Sequence, residues 1–157
     1  MVGGTFGHSA IQRNLAIAVG GRLRGRPCSF HGSDLKIQVA DGNVRYPDGM
    51  VVCAPLARTA TVVKDPVIVF EVLSPSTARY DRIVKAREYQ ATASVRRYVM
   101  LEQDGIGATV YARAGETWTH EILAADSVLR MPEIGVELPL AELYEGLEFE
   151  ADAAESG

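Results

Sequence analysis

The sequence is poor in the residues that usually announce a zinc cluster, a covalent nucleophile or a membrane span. Cysteine occurs twice, at Cys28 and Cys53, with no C-x-x-C pair and no metal-ligand spacing. Two such cysteines are expected to be reduced and packed as small apolar side chains, and a cytoplasmic location is the default. No His-x-x-x-His lies on the first helical segment; His8 is expected at a helix terminus or on the surface, and His120 is read as structural. No apolar run reaches the ~18 residues that a membrane helix needs, so no membrane association is expected. The start, MVGGTFGHSAIQRN, has no basic stretch followed by an apolar one, so no signal peptide is expected. The single tryptophan, Trp118, alternates into a packing face and is expected in a core or an interface. Repeats, low-complexity segments and linkers are missing too. One domain over residues 1–157 is therefore expected, with a frayed acidic tail from about 148.

What is present is an uneven charge. Through Met100 there are 14 Lys/Arg against 7 Asp/Glu; from Leu101 onward there are 2 against 13. The basic part can serve as a footprint for a phosphate backbone, or the acidic part can merely keep the protein in solution. Ile11, Leu15, Val19 and Leu23 recur at four-residue spacing, which predicts a helix over His8–Arg24. Leu35, Ile37 and Val39 alternate with polar residues as in a half-buried strand. The chain turns at residues 40–43 and returns through Tyr46-Pro47-Asp48 into Gly49–Cys53, predicting a hairpin whose second strand is buried. Residues 54–66 read as a loop. Farther on, the pattern predicts a strand at Tyr98–Glu102 and a hairpin from Ala108–Arg113 and Thr117–Leu123. A broken strand region at Val128–Leu138 and a short helix at Leu140–Leu147 follow.

The segment from Asp65 to Lys85 organises the rest. Val67–Leu73 is apolar, β-branched and too short for a core helix, so it reads as a buried strand, yet Glu71 interrupts it. A buried carboxylate is costly unless something positive compensates it. Alternation puts Val67, Val69 and Glu71 on one face. Ser74, Ser76 and Thr77 offer caps for a helix over Arg79–Ala91. Glu71 lies about 10 Å back from Ser74 along a strand, and Lys85 about 9 Å into the helix. A helix folded back on the sheet would bring the two level. Pairing of Lys85 with Asp81 at i,i+4 is the competing reading. Asp48, at the lip of its own strand, is either a turn residue or a second carboxylate beside Glu71. Two carboxylates on adjacent strands make a hard-oxygen site that suits Mg²⁺. The Val72 carbonyl could add an oxygen, and a nearby ammonium could orient the attacking water or stabilise the transition state.

Tyr46-Pro47-Asp48, then Glu71-Val72-Leu73-Ser74-Pro75-Ser76-Thr77, then Asp81 and Lys85, resemble the PD-(D/E)XK nuclease superfamily. More closely they resemble its Uma-two group of restriction-endonuclease-like proteins. The resemblance spans about His8 to Leu147. It implies an α/β (α+β) fold, a mixed central β-sheet flanked by helices, and Mg²⁺- or Mn²⁺-dependent hydrolysis of DNA phosphodiester bonds. It implies Asp48 and Glu71 as metal carboxylates, with Val72 supplying a carbonyl. Leu73 stands at the superfamily's usual Lys position, and Lys85 on the following helix takes its place. Relatives usually carry an N-terminal hairpin ahead of the first helix, and Gly49 stands where a β-branched residue is commoner, which predicts a looser strand there. Arg45, Arg79 and Arg82 are the candidate DNA contacts, and a homodimer is expected. A catalytically inactive nucleic-acid-binding or assembly module that retains the fold is the alternative, and a purely structural domain is a third.

Overall fold

The computed structural model describes residues 4–74 and 79–149, with no side-chain account of Tyr80. The caps expected at Ser76 and Thr77 and the tail from 150 onward lie outside the described residues. The elements in chain order begin with α1 (Phe6–Leu15), which continues through a π-helical segment (Ala16–Gly20) into α2 (Gly21–Leu23). β1 (Ser29–Gly32), β2 (Lys36–Gln38), β3 (Val44–Arg45), β4 (Gly49–Val52), β5 (Val62–Val63) and β6 (Pro66–Val72) precede α3 (Arg79–Ala91). β7 (Arg97–Leu101), β8 (Ala108–Ala114), β9 (Thr117–Leu123), β10 (Val128–Met131) and β11 (Val136–Pro139) complete the strands.

Six strands form a mixed sheet in the order β1-β4-β6-β7-β8-β9, in which only the β6–β7 pair is parallel. A parallel pair needs a long crossover, and α3 supplies it. The helices cover opposite faces. Ile11, Leu15 and Val19 of the first helix pack with Val51, Ile68, Phe70 and Val99. Ala86 and Tyr89 of α3 pack with Met50, Val69, Tyr98 and Met100 on the other face. Fully burying each such aliphatic or aromatic side chain contributes about 1.5–3 kcal/mol. The β10–β11 hairpin and the 3-10 turn Leu140–Tyr144 close one end of the first core. Asn14 anchors that turn by donating to the Leu143 carbonyl at 3.0 Å and the Glu145 carbonyl at 2.9 Å.

Several sequence-based expectations need correction. The hairpin entering β4 divides: β2 pairs with β3 and, in parallel, with β5 in a separate small sheet, while β4 joins the large sheet beside β1 and β6. Tyr46-Pro47-Asp48 is the crossing between the two sheets. β1 and β5 are too short and too weakly patterned to show in the sequence. Val67 does not share the Glu71 face. The β4–β6 register shifts between Val51 (opposite Ile68) and Val52 (opposite Pro66), and this bulge turns Val67 onto the first core.

Gly49 is not a loose point of its strand. It is buried, and a Cβ built on it would fall 2.6 Å from the Phe30 ring. The glycine makes room for Phe30, whose ring centroid lies 6.0 Å from that of Phe70. Gly49→Val must therefore swing Phe30 off the sheet, and thermal unfolding should show a loss of about 1–3 kcal/mol.

The cysteines are not reduced. Ser29 pairs with Val52, and the next step of the antiparallel register sets Cys28 against Cys53, which form a disulfide with a Cα separation of 4.0 Å. Spacing along the chain could not show this, because the pairing depends on β1 lying beside β4. Persistent disulfides are uncommon in a reducing cytosol, so the cysteines give no ground for the cytoplasmic expectation. No helix among the described residues is long and apolar enough to cross a membrane. The bridge closes a loop with a sequence separation of 25. Removing it with Cys28→Ser/Cys53→Ser should lower the denaturant-unfolding free energy by about 3 kcal/mol.

Candidate active site

The site lies where β4 begins and β6 ends. Gly49 is the last residue of β4 paired on β6, opposite Phe70, so Asp48 comes next to Glu71 where the two strands part. Val72 therefore has no β4 partner for its backbone N–H, which donates instead to Asp48 Oδ2 at 2.6 Å. A residue's N–H and C=O leave a strand on the same side, so the Val72 carbonyl is directed to the same edge. Asp48 Oδ1 accepts from Gln12 Nε2 at 2.8 Å and lies 3.0 Å from His8 Nε2. Both groups come from α1, whose Thr5 cap accepts the His8 backbone N–H at 3.1 Å.

Glu71 is buried and points toward the α3 side of the sheet, where Tyr89 donates to its Oε1 at 3.2 Å. Burial pushes the Glu71 carboxyl up to about 7, opposed by the positive charge of Lys85 on α3. The Asp48 carboxylate adds to the rise through its charge and through a carboxyl–carboxyl hydrogen bond. Burial, and then the Glu71 charge, hold the Tyr89 hydroxyl above its ordinary value, so it stays a donor. The chain thus brings two carboxyls and a backbone carbonyl edge to one end of the β4–β6 pair, within the electrostatic influence of Lys85. Lys85 acts on Glu71 through its charge, and no ion pair joins the two among the described residues.

The arginines part company. Arg45 is tied to Glu88 of α3, its Nε at 2.9 Å and Nη2 at 2.7 Å from Oε1. That pair anchors β3 to the helix carrying Tyr89 and Lys85. Arg79 is exposed on the first turn of α3. Arg82 lines a small pocket with Leu73, Ser74, Glu102, Gln103 and Asp104, and its buried Nε has no hydrogen-bond partner among the described residues. His8 is in the first turn of its helix but turns inward, with its side chain 14% exposed. Sequence reasoning missed His8, Gln12 and Tyr89. The one available signal was their spacing: His8 and Gln12 stand four apart on one helix face, and so do Lys85 and Tyr89.

Residues 1–141 match the Uma2 family, described as "Putative restriction endonuclease". The chain belongs to this family. A relative from Synechocystis sp., described as an uncharacterized protein, is 33% identical over 152 residues, covering 95% of this chain and 80% of its own. In structure the chain is similar to an Anabaena variabilis protein described as "a putative nuclease belonging to DUF820". The TM-score is 0.73 at 17% identity, over 90% of this chain and 82% of that one. At that identity the likeness establishes the fold, a mixed sheet flanked by helices.

The residues of this Uma2 member fit the divalent metal that restriction-endonuclease-like proteins generally use. Asp48, Glu71 and the Val72 carbonyl edge are the residues that would hold such an ion, and hard oxygens are what Mg²⁺ and Mn²⁺ prefer. No group of three or more His, Cys, Asp or Glu side chains able to hold a metal occurs among the described residues. A divalent ion held here would draw on two carboxylates and a carbonyl and would keep part of its hydration, as Mg²⁺ commonly does.

Proposed function

We propose that this protein is a metal-dependent endonuclease that hydrolyses DNA phosphodiester bonds. The observation that carries the reading is the meeting of Asp48 and Glu71 at the parted end of β4 and β6, with Lys85 acting on Glu71 from α3. Asp48 and Glu71 hold Mg²⁺ or Mn²⁺, and the Val72 carbonyl completes the protein's donors. The bound ion supplies a more acidic water and neutralises charge on the scissile phosphate. Lys85, reaching the same point, orients the attacking water and stabilises the charge that builds on the phosphate oxygens. Glu71 would hold the ion in its ionised form, and because burial raises its carboxyl to about 7, metal affinity should climb as pH rises through that value. Tyr89 keeps Glu71 oriented by donating to Oε1. Arg79 and Arg82, at the start of α3, are the proposed phosphate contacts, and Arg45 serves through Glu88 by holding α3 in place.

The alternative is a nucleic-acid-binding module without catalysis, and one experiment separates the two. Supercoiled plasmid incubated with the protein should be nicked in Mn²⁺ or Mg²⁺ and left intact with a chelator. Binding that weakens with salt, with no cleavage under any metal, would establish the inactive module instead.

A further inference from the structure

We propose that His8, seconded by Gln12, is a positioning residue that fixes the Asp48 carboxylate so that Oδ2 is the oxygen presented to the divalent ion. This rests on the reading of Asp48 as a metal ligand given above.

An ionised carboxylate has about four acceptor positions, two on each oxygen. Gln12 Nε2 donates to Oδ1 at 2.8 Å, and His8 Nε2 stands 3.0 Å from the same oxygen, so both crowd Oδ1. The Val72 N–H occupies one on Oδ2, at 2.6 Å. The remaining position is the one toward Glu71, whose carboxyl shares a hydrogen bond with Asp48; by elimination it is on Oδ2, beside Val72 and its carbonyl edge, and it is the place an ion held between the two carboxyls would take. Asp48 needs such a clamp. It stands just outside β4, where its backbone has left the sheet, so no strand pairing holds its side chain in place. Without donors on Oδ1 the side chain can rotate away from Glu71 and divide the site.

The clamp is built to hold still. His8 and Gln12 lie one turn apart on the same face of α1. The backbone of that first turn is fixed by the Thr5 cap. α1 packs on the sheet face opposite α3. The helix therefore braces Asp48 from one side of the sheet while Lys85 and Tyr89 serve Glu71 from the other. Partners of metal-binding carboxylates commonly set affinity in this way, at about 10–100-fold per residue removed.

The test is Mn²⁺ titration by calorimetry on the full chain, without DNA, for the parent protein, Asp48→Asn, His8→Ala, His8→Gln and Gln12→Ala. Thermal melts in chelator check that each variant is folded. His8→Ala should weaken Mn²⁺ binding at least about 10-fold, and His8→Gln, whose amide N–H can stand where Nε2 stood, should recover most of the loss. Gln12→Ala should weaken binding in the same direction, and it carries the test if His8→Ala does not fold. Binding within twofold of the parent for both alanine variants would overturn the proposal. So would a His8→Gln protein as weak as His8→Ala, since ring packing rather than donation would then be the cause. If Asp48→Asn binds Mn²⁺ as the parent does, the reading of Asp48 as a ligand fails first, and that result is distinct from the other two.

Discussion

Lys85→Ala should fold normally and lose about 10²–10³-fold in the rate of Mn²⁺-dependent plasmid nicking, the range seen when one preorganised charge is taken from a developing oxyanion. Asp48→Asn should lose at least as much, because it removes a ligand and a charge together. The two variants differ in the step they damage. Lys85 is not among the proposed metal ligands, so Lys85→Ala should bind Mn²⁺ nearly as the parent does while nicking slowly. Asp48→Asn should bind Mn²⁺ poorly. Lys85→Arg should recover little, because a planar guanidinium cannot occupy the place of a compact ammonium with rotating donors. Single-turnover nicking at saturating Mn²⁺, read beside the metal affinity, separates these effects. Equal nicking by Lys85→Ala and the parent would remove the ammonium from the mechanism.

A second large effect concerns stability without metal. Glu71 holds its proton up to about 7 in the folded chain, against an ordinary value of 4.5. Below about pH 4.5 the carboxyl is protonated whether the chain is folded or not, and its contribution to stability is fully present. As pH rises toward 7 the unfolded chain releases the proton and the folded chain keeps it, so stability falls. Above about 7 both forms are ionised and the fall ends. A rise from 4.5 to about 7 corresponds to about 3 kcal/mol lost across this window. Glu71→Gln places a neutral group of the same shape there and should flatten this part of the profile. In chelator at pH 8 the variant should be more stable than the parent by about that amount. Mn²⁺ should then stabilise the parent and leave Glu71→Gln unchanged. Urea unfolding from pH 4.5 to 8 measures all of this, and parallel profiles for the two proteins would show that Glu71 is not held protonated by burial.

The parts of the site legible in the sequence were those that break a local pattern. Glu71 stood out because a charge interrupts an apolar strand, and Lys85 because strand rise and helix rise bring it level with Glu71. The long elements were legible for the same reason: α1, α3, β6 and the β8–β9 hairpin carry a full period of apolar residues. Contacts between distant segments were not. His8 sits on a polar stretch of helix, and its approach to Asp48 depends on α1 crossing the end of β4, 40 residues later in the chain. Gly49 read as a weakness because its reason, the Phe30 ring, belongs to β1, a strand of four residues with little alternation. The Cys28–Cys53 bridge was hidden by the same missing strand. The bulge at Val51/Val52 was invisible because it is a property of two strands together, and it moved Val67 to the opposite face.

The central claim is that Asp48 and Glu71 together hold one divalent ion. Anomalous diffraction from crystals of the parent protein soaked in Mn²⁺ tests it most directly. The account predicts a peak at the parted end of β4 and β6, about 2.0–2.2 Å from an oxygen of each carboxylate, with Asp48 contributing Oδ2. A peak bound elsewhere, or an Asp48–Glu71 site that stays empty at saturating Mn²⁺ above pH 7, would contradict it.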